Sequence, residues 1–213
     1  MAVLTWEQTK QMLLFVADTI IESKPFLTQI DSQIGDGDHG IGMEIGMKKA
    51  KAKLEPMENN GDVFQLFSEM GKAMLMSMGG ASGVIFGTMF MGGAKGKPVA
   101  EGLDCRSITA WLTDSLKQIQ LRGKAEVGDK TMVDALAPAV AAMQQYSGDD
   151  PAELFALAEA AAAQGVEASK GYMAKFGRAK SLMERAIGYQ DAGATSTWLI
   201  LQAMHSFAAK IGG

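Results

Sequence analysis

The stretch DSQIGDGDHG, residues 31–40, places three aspartates and a histidine within ten residues and separates them with glycines. Two like charges 4 Å apart repel by about 1 kcal/mol in water and about 4 kcal/mol near a protein surface. A folded chain therefore accepts Asp31, Asp36 and Asp38 together when water surrounds the loop or when a cation lies among the oxygens. Carboxylates in this number suit Mg²⁺, which keeps water and substrate phosphates as its remaining ligands. The solvated turn and the magnesium site both stay open at this point.

The glycines that follow the aspartates predict an anion site beside the cation site. Gly40 and Gly42 lie at the start of a predicted helix, where accessible backbone N–H groups can bind phosphate. The segment also matches G-x-G-x-x-G, but no strand precedes it and its carboxylates would repel a bare pyrophosphate. A calcium loop is excluded because Met47 stands where that loop needs a glutamate. The pattern therefore favours a metal–phosphate site over a dinucleotide or calcium loop.

Two further segments carry residues that could contact a phosphate. In GGASGVIFG, residues 79–87, Ser82 could face a ligand at a helix start. The glycines Gly83 and Gly87 are four residues apart, so close helix packing explains the same segment equally well. The turn RGKAEVGDKTM, residues 122–132, is polar and offers several groups to a phosphate, although this signal is weak by itself.

The connection at residues 177–193 is long enough to be functional, and it has room for a short helix. Its Arg178 and Lys180 could neutralise charge on a transferring phosphoryl group, or they could simply face solvent. His39 and His205 do not assemble into a Ser/His/Asp or Cys/His arrangement. The sequence thus predicts metal and phosphate chemistry rather than nucleophilic catalysis.

Helix signals dominate the elements that must position these residues. Thr5 and Gln8 form a capping box, Pro25 interrupts the first apolar run, and Asp150 followed by Pro151 is typical of a helix start. No stretch alternates convincingly as a strand would. The absence of a Pro/Ser-rich linker favours one domain over residues 1–213. We predict an all-α protein with about eight helices, near 5–24, 41–54, 62–78, 83–95, 104–123, 131–146, 150–176 and 194–211, and an acidic loop at 31–40.

Composition excludes several classes of protein. The net charge is −4, the pI is about 5.3, and no basic block indicates nucleic-acid binding. Cys105 has no second cysteine to pair with, which is typical of a reducing compartment. The N-terminus lacks the pattern of a signal peptide, and no apolar run approaches the roughly 18 residues of a membrane span. A cytoplasmic protein that binds neither membrane nor nucleic acid is expected.

Four motifs together resemble the nucleotide-binding L subunit of dihydroxyacetone kinase. DSQIGDGDHG, GGASG, RGKAEVGDKTM and GRAKSLMERAIGYQDAGATS occur here in the order and spacing of that family, over nearly the whole chain. The resemblance implies eight antiparallel amphipathic helices closed into a barrel, with an ADP or ATP site at one end. It also implies that two Mg²⁺ ions bridge the nucleotide phosphates and are held by Asp31, Asp36 and Asp38.

The resemblance further assigns the nucleotide contacts. Phosphate would be bound at one turn and one helix start, adenine would lie in a pocket, and Arg178 would approach the phosphates as the candidate for stabilising phosphoryl charge. These contacts are His39, Gly40, Ile41 and Gly42, then Ala81 and Ser82, then Gly123 and Met132, and finally Arg178, Asp191, Ala192 and Gly193. The family often has Asn in place of Gly42 and Pro in place of Ala192, so nucleotide retention and the phosphoryl donor depend on these two positions.

The partners implied by the resemblance are proteins rather than free substrates. A separate K subunit would hold the ketose covalently through a histidine, and a homodimer is compatible with the family. In one branch ADP stays bound and is rephosphorylated by a protein of the phosphotransferase system; in the other, ATP is the donor. A chain of 213 residues favours the first branch. An erythrulose kinase subunit, a regulatory nucleotide-binding module and a purely structural helical domain stay open as alternatives.

Overall fold

Helices make up nearly all regular structure in the computed structural model of this protein, which describes residues 3–212. Within those residues there are nine α-helices, one 3₁₀ helix and two very short strands. In chain order they are β1 (Leu4–Thr5), α1 (Trp6–Glu22), α2 (Lys24–Ile34), α3 (His39–Leu54), α4 (Val63–Ser77), α5 (Gly80–Ala94), β2 (Gly102–Leu103), α6 (Cys105–Gly123), α7 (Val133–Gln145), α8 (Pro151–Ser169), the 3₁₀ helix (Arg178–Ala186) and α9 (Ala192–Gly212).

Local capping chemistry sets several helix starts where the sequence predicts them. The Thr5 hydroxyl accepts a hydrogen bond from the backbone N–H of Gln8, whose side chain accepts one from the Thr5 backbone in return. The carboxylate of Asp150 likewise caps α8, with Pro151 in the first turn. The all-α prediction is therefore confirmed.

The segment after Pro25 corrects the predicted acidic loop. The sequence places a loop at 31–40, but α2 continues to Ile34 and carries Asp31 in its last turn. The first helix ends at Glu22, as the interruption at Pro25 predicts, but Pro25 itself lies in the first turn of α2, where a missing N–H breaks no hydrogen bond. Leu27, Ile30 and Ile34 form its buried face. The loop between α2 and α3 is only four residues long.

Other differences from the prediction are smaller. The strands β1 and β2 pair antiparallel, with Leu4 opposite Leu103. Helix α8 ends at Ser169, seven residues before the predicted end, and the long connection that follows holds the 3₁₀ helix.

Helices that follow one another in sequence pack side by side around a single apolar core. From α3 to α9 each helix packs against the next, and α1 packs against both α3 and α9. Trp111 lies at the centre, with its ring centroid 4.3 Å from that of Phe67. The antiparallel closed barrel stays a prediction. Among residues 3–212, no helix combines the length and the apolar character that crossing a membrane requires.

Candidate functional site

The end of α2 and the start of α3 bring the three aspartates together. One carboxylate oxygen from each of Asp31, Asp36 and Asp38 lies within 4.8 Å of the others. A Cβ on Gly35 would overlap the Asp31 carboxylate, and Gly37 has a φ of 77°, which favours glycine. The two glycines thus let four residues fold the chain back on itself so that all three carboxylates converge.

The donor set of this cluster fits a hard divalent cation. All three side chains offer carboxylate oxygens, and those of Asp36 and Asp38 are exposed, so water and a ligand can reach the same point. Burial and the neighbouring charges of Asp36 and Asp31 raise the pKa of the Asp38 carboxyl. A cation among the oxygens would relieve that repulsion, and the metal site stays a prediction.

Arg178 reaches this cluster from the 3₁₀ helix. Its Nε lies 2.8 Å from Oδ2 of Asp36, and its side chain is 77% exposed. The residue immediately before it, Gly177, has a φ of 67°, which sets the direction of the turn. The arginine predicted to approach the phosphates is therefore next to the carboxylates, although 142 residues separate Asp36 and Arg178 in sequence.

His39 anchors the start of α3 from inside the protein. Its backbone N–H donates to Oδ2 of Asp31 at 3.3 Å, and its ring Nε2 lies 2.7 Å from Oγ of Ser196 on α9. The ring is buried against Phe86, and this burial lowers the pKa of the imidazole. Sequence reasoning missed Ser196, because a serine inside an apolar helix carries no local sign of a partner.

Two helix N-termini carry open glycine positions: that of α3, which begins directly after Asp38, and that of α5. Gly42 on α3 has nothing within 4 Å of the place where a Cβ would lie, and Ile41 is exposed. At the start of α5, Gly79 and Gly80 are equally open, Ala81 is exposed and Ser82 is half-buried. The first N–H groups of a helix can bind an anion, but at α3 the N–H groups of His39 and Gly42 already donate to the Asp31 carboxylate and the Asp38 carbonyl oxygen.

The glycines within these helices serve packing. A Cβ on Gly83 would lie 2.6 Å from the Met78 carbonyl oxygen, and one on Gly46 of α3 would lie 2.6 Å from Cγ of the same Met78. Met78 thus holds the beginning of α5 against α3. The packing interpretation of Gly83 and the ligand interpretation of Ser82 are compatible, because consecutive residues of a helix point about 100° apart.

Of the two residues assigned to adenine, Met132 lies against the start of α9, whereas Gly123 lies against α5. A Cβ on Gly193 would lie 3.3 Å from the backbone nitrogen of Met132, and one on Gly123 would lie 3.2 Å from Cδ1 of Ile85 on α5. Ser196, one turn beyond Gly193, contacts His39. The first turn of α9 therefore links the Met132 loop to the carboxylate cluster.

Asp191 and Ala192 lie at the start of α9, next to Gly193. Oδ2 of Asp191 accepts a hydrogen bond of 2.7 Å from the backbone N–H of Ala194, and the backbone N–H of Asp191 donates to Oγ of Ser169 at 3.0 Å. Ala192 is buried. Burial raises the pKa of the Asp191 carboxyl from 3.8 to about 7.

This raised pKa gives a pH-dependent stability. Between about pH 4 and 7 the folded protein holds a proton on Asp191 that the unfolded chain releases, so the free energy of unfolding falls as pH rises, by at most about 1.4 kcal/mol per pH unit. Asp191→Asn keeps an acceptor for Ala194 and removes the charge. We expect the variant to gain stability relative to wild type from pH 4 to 7, with a constant difference above pH 7. Chemical denaturation at fixed pH values measures this, and a pH-independent difference would contradict it.

A family model described as the DAK2 domain matches residues 33–206, which include all the elements of this site except the end of α2 that carries Asp31. This chain belongs to the DAK2-domain family. The match covers well over half of the chain, from the carboxylate loop through α9.

Curated relatives of this DAK2 domain include kinase subunits. It is 36% identical to the PEP-dependent dihydroxyacetone kinase ADP-binding subunit DhaL of Escherichia coli, over 91% of this chain and 92% of the relative. It is 35% identical to a corresponding subunit of Listeria innocua, over 87% of both chains. It is also 34% identical to the L-erythrulose kinase of Pectobacterium atrosepticum. That alignment covers 88% of this chain but only 32% of the relative.

A solved structure shares the fold of this DAK2 domain. The dihydroxyacetone kinase of C. freundii, determined with AMP-PNP and Mg²⁺, aligns with a TM-score of 0.67 at 23% identity, over 93% of this chain and 33% of that one. The likeness at this identity concerns the fold. The chemistry that the DAK2 domain supports comes from its own residues: three carboxylates, the N-terminus of α3 and an arginine at one place.

Proposed function

We propose that this chain is the Mg²⁺–nucleotide-binding subunit of a kinase for dihydroxyacetone or a related short ketose. The observation that carries the proposal is the convergence of three carboxylates within 4.8 Å at the N-terminus of α3. The names of the ADP-binding subunits that are 35–36% identical to it support the same function. Residues 1–213 would form one nucleotide-binding domain of a cytoplasmic, all-α protein.

The proposed site holds a metal and a nucleotide polyphosphate together. Asp31, Asp36 and Asp38 would hold two Mg²⁺ ions, which supply charge neutralisation for the phosphates when bound. Phosphate oxygens would lie at the starts of α3 and α5, against His39, Gly40, Ile41, Gly42, Ala81 and Ser82. Adenine would lie against Gly123 and Met132, with Asp191, Ala192 and Gly193 on the other side.

The proposed role of Arg178 is to stabilise charge on the phosphoryl group. Its guanidinium lies beside Asp36 and its exposed side chain has little role in stability. We expect Arg178→Gln to slow phosphoryl transfer by about a hundredfold, while the melting temperature without ligand stays unchanged. The matched control is Arg185→Gln, an exposed arginine of the same 3₁₀ helix, which should keep wild-type activity. Equal activity in both variants would remove this role.

The ketose and the phosphoryl source would come from partner proteins. We propose that a separate K subunit holds the ketose covalently, which the subunit names of the relatives support. The PEP-dependent and PTS-dependent names of the subunit relatives support bound ADP that is rephosphorylated in place by a phosphotransferase-system protein. The relationship to L-erythrulose kinase supports an ATP-dependent kinase for a four-carbon ketose as the second candidate.

The experiment that separates these candidates begins with protein purified without added nucleotide. The protein is denatured, and the released nucleotide is identified and counted. ADP near one molecule per chain, together with ketose phosphorylation only when a K subunit and a phosphoprotein donor are added, is the expected result. An empty site that takes up Mg–ATP freely would favour the second candidate. A melting temperature unchanged by Mg²⁺ with ADP or ATP would contradict both, because ligand binding to the native state stabilises it.

A further inference from the structure

Lys130, in the loop between α6 and α7, is a buried lysine that the proposed function does not use. Its relative exposure is 2% and its backbone has a φ of 59°, in the left-handed region that favours glycine. Burying an ammonium group and holding a non-glycine residue in this conformation both cost free energy. A residue that carries both costs next to a candidate site invites a functional explanation.

The contacts of its ammonium group are backbone carbonyls at the two ends of one segment. Nζ donates to the Ser169 carbonyl oxygen at 2.6 Å and to the Tyr189 carbonyl oxygen at 2.5 Å. Ser169 is the last residue of α8, and Tyr189 lies two residues before Asp191. The segment between these two carbonyls carries the 3₁₀ helix and Arg178. Lys130 therefore fastens both ends of the segment that places Arg178 beside the carboxylates.

The same contacts extend to the start of α9. Besides its carbonyl contact with Lys130, Ser169 accepts a hydrogen bond from the Asp191 backbone through its side chain. Two residues beyond Asp191, Gly193 lies against Met132, which is itself two residues after Lys130. A shift of the Lys130 side chain would thus move both Met132, which is assigned to adenine, and the segment 191–193, which is assigned to the other side of the nucleotide.

The loop around Lys130 is held in place by hydrogen bonds to one carboxylate. The Asp134 carboxylate accepts hydrogen bonds from the backbone N–H groups of Gly128 at 2.5 Å and Thr131 at 2.7 Å. The charges of Asp191 and Asp134 favour the protonated ammonium, whereas burial lowers the pKa of Lys130. One of these two carboxylates, Asp191, belongs to the candidate site.

We propose that Lys130 is a positioning residue for the nucleotide site, which it orders through the Ser169 and Tyr189 carbonyls without contacting the nucleotide. The proposal rests on the proposed function, since the groups that Lys130 positions are those assigned to nucleotide and phosphoryl binding. It also assigns the polar turn at residues 122–132 a different task from the direct phosphate contact that the sequence suggests for it.

The test compares Lys130→Met with Lys124→Met. Lys124 lies in the same loop with the same φ of 59°, but its side chain is exposed. The dissociation constant for Mg–ADP is measured by titration on folded protein, well below the melting temperature. We expect Lys130→Met to raise it about tenfold to a hundredfold, as loss of a supporting contact to a ligand-binding residue commonly does, while Lys124→Met stays within about twofold. Hydrogen exchange should also become faster at the Asp191 amide in Lys130→Met alone.

The outcomes distinguish this inference from the proposed function. If wild-type protein binds no Mg–ADP, the proposed function fails and the inference falls with it. If wild-type protein binds but Lys130→Met binds equally well, with or without a lower melting temperature, Lys130 is structural and only the inference is overturned. If Lys130→Met does not fold, Lys130→Gln, which keeps one amide donor, takes its place with the same two outcomes.

Discussion

Asp38→Asn is expected to abolish Mg²⁺-dependent phosphoryl transfer while the fold persists. The Asp38 carboxylate lies within 4.8 Å of two others, and its pKa is raised because burial and those neighbouring charges disfavour its ionised form. An amide in its place removes one anionic ligand from the proposed metal site and one source of repulsion from the free protein. Stability without ligand should therefore stay the same or rise, whereas metal-dependent binding is lost.

Melting curves with and without Mg²⁺ and ADP, together with a transfer assay, measure both effects. The control is Glu58→Gln, which removes an exposed carboxylate in the connection beyond the far end of α3. At 1.5 Å per residue, the 16 residues of α3 place that end about 24 Å from the site. We expect the control to keep the ligand-induced rise in melting temperature and Asp38→Asn to lose it. A normal rise and normal transfer in Asp38→Asn would refute the metal assignment.

Gly40→Ala is expected to destabilise the protein and to eliminate Mg–nucleotide binding. A Cβ at this position would overlap Oγ1 of Thr28 and would lie 2.5 Å from the Lys24 carbonyl oxygen and 2.8 Å from the Thr28 backbone nitrogen. Two of these atoms belong to the backbone of α2, so the helix itself must move. Overpacking of this kind typically costs about 1–3 kcal/mol. The same movement would separate Asp31 on α2 from the other two carboxylates.

Gly42→Ala is the matched control for this prediction, since it adds the same methyl group two residues later in the same helix. Nothing lies within 4 Å of that position, so we expect no steric cost and a gain of roughly 0.5–1 kcal/mol from helix propensity. Denaturant titration gives the two free energies of unfolding, and Mg–ADP titration gives the binding. Equal stabilities for the two variants would show that α2 and α3 do not depend on the close approach at Gly40.

Local chemistry explains the parts of the fold that the sequence predicts well. The caps at Thr5 and Asp150 act through hydrogen bonds to residues two or three positions away, so their signals are readable without tertiary structure. The helix α2, which the sequence does not predict, is the instructive failure. Pro25 marks both the end of α1 and the first turn of α2, and the buried face of α2 stabilises this second helix.

The candidate site divides in the same way. The sequence by itself determined the carboxylate cluster, because Asp31, Asp36 and Asp38 lie within eight residues and two glycines let the chain turn between them. Only the tertiary structure decided that Arg178 lies against Asp36, that Ser196 bonds to His39, and that the Lys130 ammonium binds carbonyls rather than phosphate. Sequence patterns report neighbours within a helix turn or a loop. The partners of Arg178, Ser196 and Lys130 are 39–157 residues away and are brought near only by the packing of the helices around the common core.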